Sequence, residues 1–197
     1  MSKIIHTAII FLIFSAYCTA QNFDIDLLQD INQNRNSGND KFFNGISRTT
    51  YPASLALPVF ELGVGLIKKD RKLQQNALFT TTSLIGAMGT TYILKKVINR
   101  PRPYEKYPFI EHYYTDTDSA FPSGHTSAAF SMATSLSLHY RKWYVVVPAY
   151  AWASAVGYSR MHLGMHYPSD VAAGALIGAG SAFVNYKIQQ WINKKSR

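Results

Sequence analysis

The sequence predicts an all-α protein, a membrane-embedded helical bundle of five to six spans, and three observations predict it. Five long apolar stretches follow residue 50, with charges nearly absent inside them and crowded between them. That is how membrane spans separated by loops read. Alternate loops are basic, a bias that a soluble protein has no reason to show. Glycines and alanines crowd the second and fifth stretches (Gly86, Gly89, Gly174, Gly178, Gly180), and small residues at such spacing let helices approach closely.

The chain opens like an export signal: Lys3 supplies the positive start, Ile4 to Phe14 the apolar core, and Cys18-Thr19-Ala20 a small-residue exit before Gln21. An uncleaved first span is the other reading of residues 1–20, and both put Gln21 on the far side of the membrane. Residues 21–50 are polar, with a turn cluster at Asn36-Ser37-Gly38-Asn39. Within them Phe23, Leu27, Leu28 and Ile31 fall at helical spacing, which predicts one short amphipathic helix. It lies either on the membrane surface or against the rest of the domain.

The five stretches run from Tyr51 to Ile67, interrupted by Glu61, then Asn76 to Ile98, Ser123 to Leu138, Trp143 to Tyr158 and Val171 to Ile192. Lys68-Lys69-Asp70-Arg71-Lys72 separates the first two, Arg141-Lys142 separates the third and fourth, and Lys194, Lys195 and Arg197 end the chain. These basic segments mark cytoplasmic ends. The opposite loops carry Glu105, Glu111, Asp116 and Asp118. The Gly174-x3-Gly178 pair is read as helix packing within the bundle.

The formal charge of +9 does not predict a nucleic-acid partner, because the Lys and Arg residues sit at span ends and not along one face. A single cysteine, Cys18, excludes an intramolecular disulfide and a cysteine-based zinc site. Tyr17 before it argues against an acylated lipoprotein cysteine, which takes a small residue at that place.

Three short segments carry the chemistry. Where the second stretch ends, Lys95, Arg100 and Arg102 offer cations, with Pro101 and Pro103 stiffening the turn that aims Arg102. Guanidinium forks match phosphate oxygens bidentately and lysine acts as a mobile point charge. Taken alone, this cluster would equally suit contact with lipid headgroups. Pro122-Ser123-Gly124-His125 reads as a helix start, where free N–H groups bind anions and Gly124 lets an oxygen approach the backbone. Ser123 adds a hydroxyl, and an imidazolium at His125 can protonate a leaving oxygen. His166 and Asp170 are four apart, with Pro168 suited to a first helical turn. That spacing lets the carboxylate hold one ring nitrogen of His166 and leave the other as nucleophile. Arg160 adds a third cation, and His162 is read as a wall residue.

The order Lys95-x6-Arg102-Pro103, Pro122-Ser123-Gly124-His125, Ser159-Arg160-x5-His166-x3-Asp170 resembles the type 2 phosphatidic acid phosphatase (PAP2) superfamily. That superfamily also holds the bacterial acid phosphatases and the vanadium haloperoxidases. Every fixed position is matched between Lys95 and Asp170, and the first half of the chain adds nothing by motif. The resemblance selects Lys95 over any residue paired with Arg100, since Ile93 stands seven places before Arg100. It implies a PAP2-like phosphatase domain over residues 51–197, preceded by a polar periplasmic segment over residues 21–50. It further implies a phosphohistidine on His166, with Asp170 orienting it and His125 as acid and then base. Lys95, Arg102, Ser123, Gly124 and Arg160 would hold the phosphate. No metal and no cofactor is expected.

The combined expectation is a lipid phosphatase in a bacterial inner membrane, multi-pass, with its active site facing the periplasm. It would act on undecaprenyl pyrophosphate, lipid A, phosphatidylglycerophosphate or phosphatidic acid. Its partners would be that lipid and the bilayer, with no nucleic acid. A soluble periplasmic acid phosphatase shares the motifs but leaves the basic loops unexplained. A haloperoxidase uses the same positions in a longer chain, and a silent lipid-binding scaffold would have no need of every motif position.

Overall fold

Each apolar stretch folds into one helix whose ends follow from local chemistry. The structure, a computed structural model, describes residues 23–195, so the leader reading of residues 1–20 and Cys18 lie outside the described residues. Helix α1 covers residues 23–33 and a 3-10 turn covers Ser37–Asn39. Then come α2 (Asp40–Arg48), α3 (Thr50–Ile67), α4 (Arg71–Ile98) and the short α5 (Pro103–Lys106). The chain finishes with α6 (Gly124–Tyr140), α7 (Trp143–His162) and α8 (Pro168–Lys195). No strand occurs among the described residues.

Helix α4 begins at Arg71 and not at Asn76, because the Asp70 carboxylate accepts from the N–H groups of Lys72 (2.8 Å) and Leu73 (3.2 Å). An N-cap of this kind satisfies donors that the helix itself leaves orphaned. Helix α7 continues past Tyr158 to His162, which carries Arg160 on its last turn. Pro168 opens α8, the position where its missing N–H costs nothing.

Helix α6 sits at the centre, packed by α4, α7, α8 and α3. Its buried side chains are small: Ala128, Ala129, Ala133, Ser127, Ser131 and Ser135. The large apolar side chains point outward instead, among them Leu55, Phe60, Ile85, Val97, Phe183 and Ile188. A soluble protein buries such residues. In lipid, tails are as apolar as leucine, so the interior goes to small residues that maximise close packing. This inversion also accounts for a mean hydropathy near zero, because the interior is built of Ser, Thr, Gly and Ala. Segments containing α3, α4 and α8 are long and apolar enough to cross a membrane. Helix α6 carries more hydroxyls, but its neighbours shield them. The protein is a multi-pass, membrane-embedded helical bundle.

Gly178 is where α8 meets α6: a Cβ there would collide with the Ser127 carbonyl oxygen, and one at Gly174 would stand 2.6 Å from the Ser123 carbonyl oxygen. The Gly174-x3-Gly178 pair therefore serves packing inside the bundle. It brings the start of α8 onto the start of α6, which is where the motifs lie.

Residues 23–50 are part of the same packed unit. Of the two readings of the amphipathic helix, α1 packs on the domain: Ile25 and Leu28 are buried with Ile110, Ala120 and Tyr167, while Phe23 and Leu27 face outward. Helix α2 is tied to α7 by a buried cluster. The Arg35 guanidinium donates to Asp40 at 2.8 and 2.5 Å, and Asp40 lies 3.1 Å from His162 Nε2. The Phe43 ring packs at a tilt against the His162 ring, with centroids 4.1 Å apart. His162, read as a wall residue, is thus an anchor for α2.

Candidate active site

The motif residues converge at one end of the bundle, where α4 and α7 finish and α6 and α8 begin. The basic segments Lys68–Lys72 and Arg141-Lys142 occupy the helix turns at the opposite end.

His166 lies in the turn between α7 and α8 and is only 2% exposed. Its Nδ1 stands 3.5 Å from Asp170 Oδ2, the outer limit of a contact, and has no closer partner among the described residues. Its Nε2 is 3.4 Å from Arg102 Nη1. A guanidinium only donates, so Nε2 is the bare nitrogen and Nδ1 carries the proton facing the carboxylate. Burial, followed by the charges of Arg160, Arg102 and Lys95, holds the imidazole well below its ordinary pKa. A neutral ring with a free lone pair is the form a nucleophile needs.

Asp170 is itself fixed from behind. Its Oδ2 accepts from the Tyr167 N–H at 2.9 Å and its Oδ1 from Arg100 Nη1 at 2.7 Å. Arg100 lies 3.7 Å over the Tyr167 ring and also donates to Asp24 of α1 at 2.7 Å. Asp24 in turn accepts from the Ser169 N–H (2.8 Å) and hydroxyl (2.6 Å). The motif register passes over Arg100, and Asp24 lies in the short amphipathic helix that the sequence predicts, where no motif marks it. Nothing in the local sequence pairs residues so far apart along the chain.

The three motif cations rest differently. Lys95 Nζ is 3.1 Å from Asp118 Oδ2 and donates to the Ser119 carbonyl oxygen. Arg102 is 1% exposed. It donates from Nε to the Asp118 carbonyl oxygen (2.9 Å) and from Nη1 to the Met165 carbonyl oxygen (3.0 Å). Its Nη2 meets the carboxylates of Asp116 (3.0 Å) and Asp118. Burial alone would raise the Asp118 carboxyl, but the charges of Lys95 and Arg102 outweigh it and hold its pKa below the ordinary value. Arg160, fully buried, donates through Nη1 to Ser47 Oγ (2.8 Å) and Tyr114 Oη (2.7 Å). Among the described residues, its Nε and Nη2 are buried without any partner. A desolvated guanidinium with idle donors is costly unless an anion completes it.

Helix α6 contributes its first turn. Ser123 is its N-cap: the hydroxyl accepts from Thr126 Oγ1 at 2.9 Å, and its backbone N–H donates to the Asp170 carbonyl oxygen at 3.0 Å. The serine therefore sets the helix start and ties it to α8. Gly124 and His125 follow on the cavity wall. A Cβ at Gly124 would stand 3.3 Å from Tyr51 Oη, and the Tyr51 ring packs on the His125 ring with centroids 4.6 Å apart.

Lys95, Arg102, Gly124, His125 and His166 line a cavity of about 330 Å³, with Tyr51, Asp116 and Asp118 at its wall, and Arg160 lies outside that lining. Asp170 lies behind His166 and Ser123 one residue behind Gly124. A larger cavity of about 550 Å³ lies beyond Arg100 and Tyr167, lined also by Asp24, Tyr107, Phe121 and Ser169. It carries none of the motif cations and neither motif histidine, so the chemistry belongs to the smaller one. Sequence reasoning missed Tyr51, Tyr114, Ser47 and Asp24, which reach the site from elsewhere in the chain. In the sequence Asp116 and Asp118 read only as loop charges.

A bundle that gathers buried cations, a helix start and an oriented neutral imidazole at one end defines a class, helical membrane proteins with an anion site at the membrane surface. The chain belongs to the PAP2 superfamily, whose family model matches residues 76–194. It is 47% identical over 134 residues to a bacitracin transport permease protein BcrC of Bacillus licheniformis, covering 63% of each chain. It is 30% identical over 128 residues to an undecaprenyl-diphosphatase of Sulfolobus acidocaldarius, covering 63% of this chain and 59% of that one. The chain thus spans less than two thirds of the length of these relatives. The crystal structure of a transmembrane PAP2-type phosphatidylglycerolphosphate phosphatase from Bacillus subtilis shares the fold. Its TM-score is 0.73 at 23% identity, over 93% of this chain and 94% of that one.

Proposed function

We propose that the protein is a membrane lipid phosphatase that hydrolyses a phosphomonoester or pyrophosphate of a lipid through a phosphohistidine. The observation that carries this reading is the neutral His166, with Nε2 bare and Asp170 behind Nδ1, on a cavity walled by Lys95 and Arg102. In the proposed reaction Nε2 attacks phosphorus in line and the leaving oxygen takes a proton from His125. His125 then removes a proton from water, which attacks the phosphohistidine and frees inorganic phosphate. Lys95, Arg102, Arg160 and the first-turn N–H groups at Gly124 hold the oxygens on which charge is redistributed, and in phosphoryl transfer such positioning does most of the catalysis.

The lipid class follows from where the cavity lies. It opens at the ends of helices whose outward faces are apolar, so acyl or prenyl chains can remain in the bilayer while the phosphate enters the polar pocket. That apolar exterior is also the reason to prefer a lipid phosphatase over a soluble acid phosphatase of the same superfamily. The name of the undecaprenyl-diphosphatase relative puts a polyprenyl diphosphate first among the substrates to try. The basic turns at the far end favour an orientation with the site on the periplasmic face of a bacterial inner membrane.

Phosphate release from detergent micelles of undecaprenyl pyrophosphate, lipid A, phosphatidylglycerophosphate and phosphatidic acid, beside para-nitrophenyl phosphate, tests the reading. One lipid should be strongly preferred, and His166→Ala should abolish turnover and leave no trapped phosphoenzyme. Turnover of the soluble ester as efficient as that of every lipid would overturn the substrate class. For orientation, cysteines placed at Arg71 and Lys142 should resist an impermeant thiol reagent in intact spheroplasts while one at Glu111 reacts. The opposite pattern would move the site to the cytoplasm.

A further inference from the structure

The two cations on the cavity wall are not waiting empty. Asp118 reaches both at once, standing 3.1 Å from Lys95 Nζ through Oδ2 and meeting Arg102 Nη2 through Oδ1. Asp116 adds a second carboxylate 3.0 Å from the same Nη2. A carboxylate bridging two cations through its two oxygens presents what two oxygens of a bound phosphate would present. The acids sit in the loop between α5 and α6, and their side chains remain 38% and 53% exposed even while paired. They have open solvent to move into.

The backbone around them is arranged so that the carboxylates can leave without the cation losing its aim. The Tyr104 hydroxyl accepts from the Asp116 N–H at 3.0 Å and lies 3.2 Å from the Asp116 carbonyl oxygen, pinning the loop. Arg102 keeps its Nε on the Asp118 carbonyl oxygen and its Nη1 on the Met165 carbonyl oxygen, contacts that do not involve either carboxylate. Only side-chain rotation is needed to exchange the carboxylates for phosphate. Arg160 offers the contrast, since among the described residues no carboxylate reaches its buried, unpartnered Nε and Nη2.

We propose that Asp118, assisted by Asp116, is a displaceable internal counter-anion of the phosphate cradle. It neutralises Lys95 and Arg102 in the resting protein, gives way to the substrate phosphate, and returns to expel the inorganic phosphate product. Its role is positioning and specificity, because it competes with the substrate for two cations and touches no reacting atom. Weakly charged anions fail to displace it, whereas a doubly charged phosphate that meets both Lys95 and Arg102 succeeds. This inference rests on the phosphatase reading for its product, but its test does not.

Titration calorimetry of the purified full chain in detergent with inorganic phosphate reads the competition without turnover. Asp118→Asn should bind phosphate about tenfold more tightly than the wild type, as removal of a competing charge from two buried cations predicts. Asp116→Asn should shift in the same direction by less, and Asp118→Glu should stay nearer the wild type than the Asn variant does. In turnover assays, Ki for phosphate as product inhibitor and KM should fall together in Asp118→Asn. Unchanged or weaker phosphate binding in the Asn variants, at an unchanged melting temperature, would overturn the proposal, as would an Asp118→Glu variant that matches Asp118→Asn. If Asp118→Asn does not fold, Asp116→Asn carries the same comparison. A wild type that shows this binding order yet hydrolyses no lipid phosphate would sink the phosphatase reading alone. A wild type that hydrolyses lipid while its Asn variants bind phosphate no more tightly would sink the counter-anion alone.

Discussion

Arg102 and Arg160 are both buried at the same site, yet one rests against carboxylates and the other against hydroxyls. Arg102 is held by two main-chain carbonyls and charge-neutralised by Asp116 and Asp118. Arg160 is held by Ser47 and Tyr114 and keeps two donor atoms unpaired. A neutral hydroxyl can aim a guanidinium without cancelling its charge, so Arg160 stays electrically available at the cost of desolvation. A carboxylate aims and cancels together, so the charge of Arg102 becomes available only when the acid moves. The lesson is that equal burial and equal charge do not make equivalent phosphate ligands.

The largest expected effect tests that difference directly. Arg102→Ala and Arg160→Ala should each lower kcat/KM by about 10²- to 10³-fold, the usual loss when a preorganised charge contact is removed. Adding Asp118→Asn should then restore more activity to Arg102→Ala, where Asp118 keeps only Lys95 as a partner and still stands beside the phosphate, than to Arg160→Ala. Equal recovery in a double-mutant cycle would dissolve the distinction between the two arginines.

Next comes the pH dependence. Burial and the surrounding cations lower the His166 pKa, so the ring stays neutral and nucleophilic as pH falls through about 6.5, the ordinary imidazole value. Phosphoenzyme formation from an ester with a good leaving group, which needs no proton from His125, should show no acid limb centred there. A limb at that value that survives His125→Ala would mean that His166 titrates normally.

A smaller effect is expected behind the nucleophile. Asp24→Asn loosens the chain from Asp24 through Arg100 to Asp170, and kcat should fall about tenfold with KM little changed, as slight misplacement of a reacting group predicts. A rise in KM alone would place Asp24 in substrate binding instead. The smallest effects belong to Ser47→Ala and Tyr114→Phe. Each removes one hydrogen bond from Arg160, worth about 1 kcal/mol or a few-fold in kcat/KM. Steady-state kinetics of the pair and of the double variant would show whether the two hydroxyls hold Arg160 jointly.

Particular elements show how far the sequence could be read. The five stretches from Tyr51 to Ile192 each became one helix, because long apolar runs flanked by charge have few other outcomes in lipid. Boundaries drifted where a polar residue carried the helix onward, as at Asp70 before α4 and at the last turn of α7. The motif residues at the four helix ends were legible because short segments with fixed spacing carry their own geometry. Asp24, Ser47, Tyr51 and Tyr114 were not. Each reaches the site from a segment whose local pattern is an ordinary polar or aromatic one.

Sequence by itself determined the helical class, the alternation of basic and motif-bearing loops, and the set of cations and histidines at the helix ends. Those properties are local, arising from hydropathy, helix period and spacing along the chain. Only the tertiary structure decided that α1 braces Asp170 through Asp24 and Arg100, that Asp116 and Asp118 cover two of the cations, and that Arg160 is left with idle donors. Those are contacts between residues far apart in sequence, fixed when small side chains such as Gly174 and Gly178 let the helices close and bring their ends together.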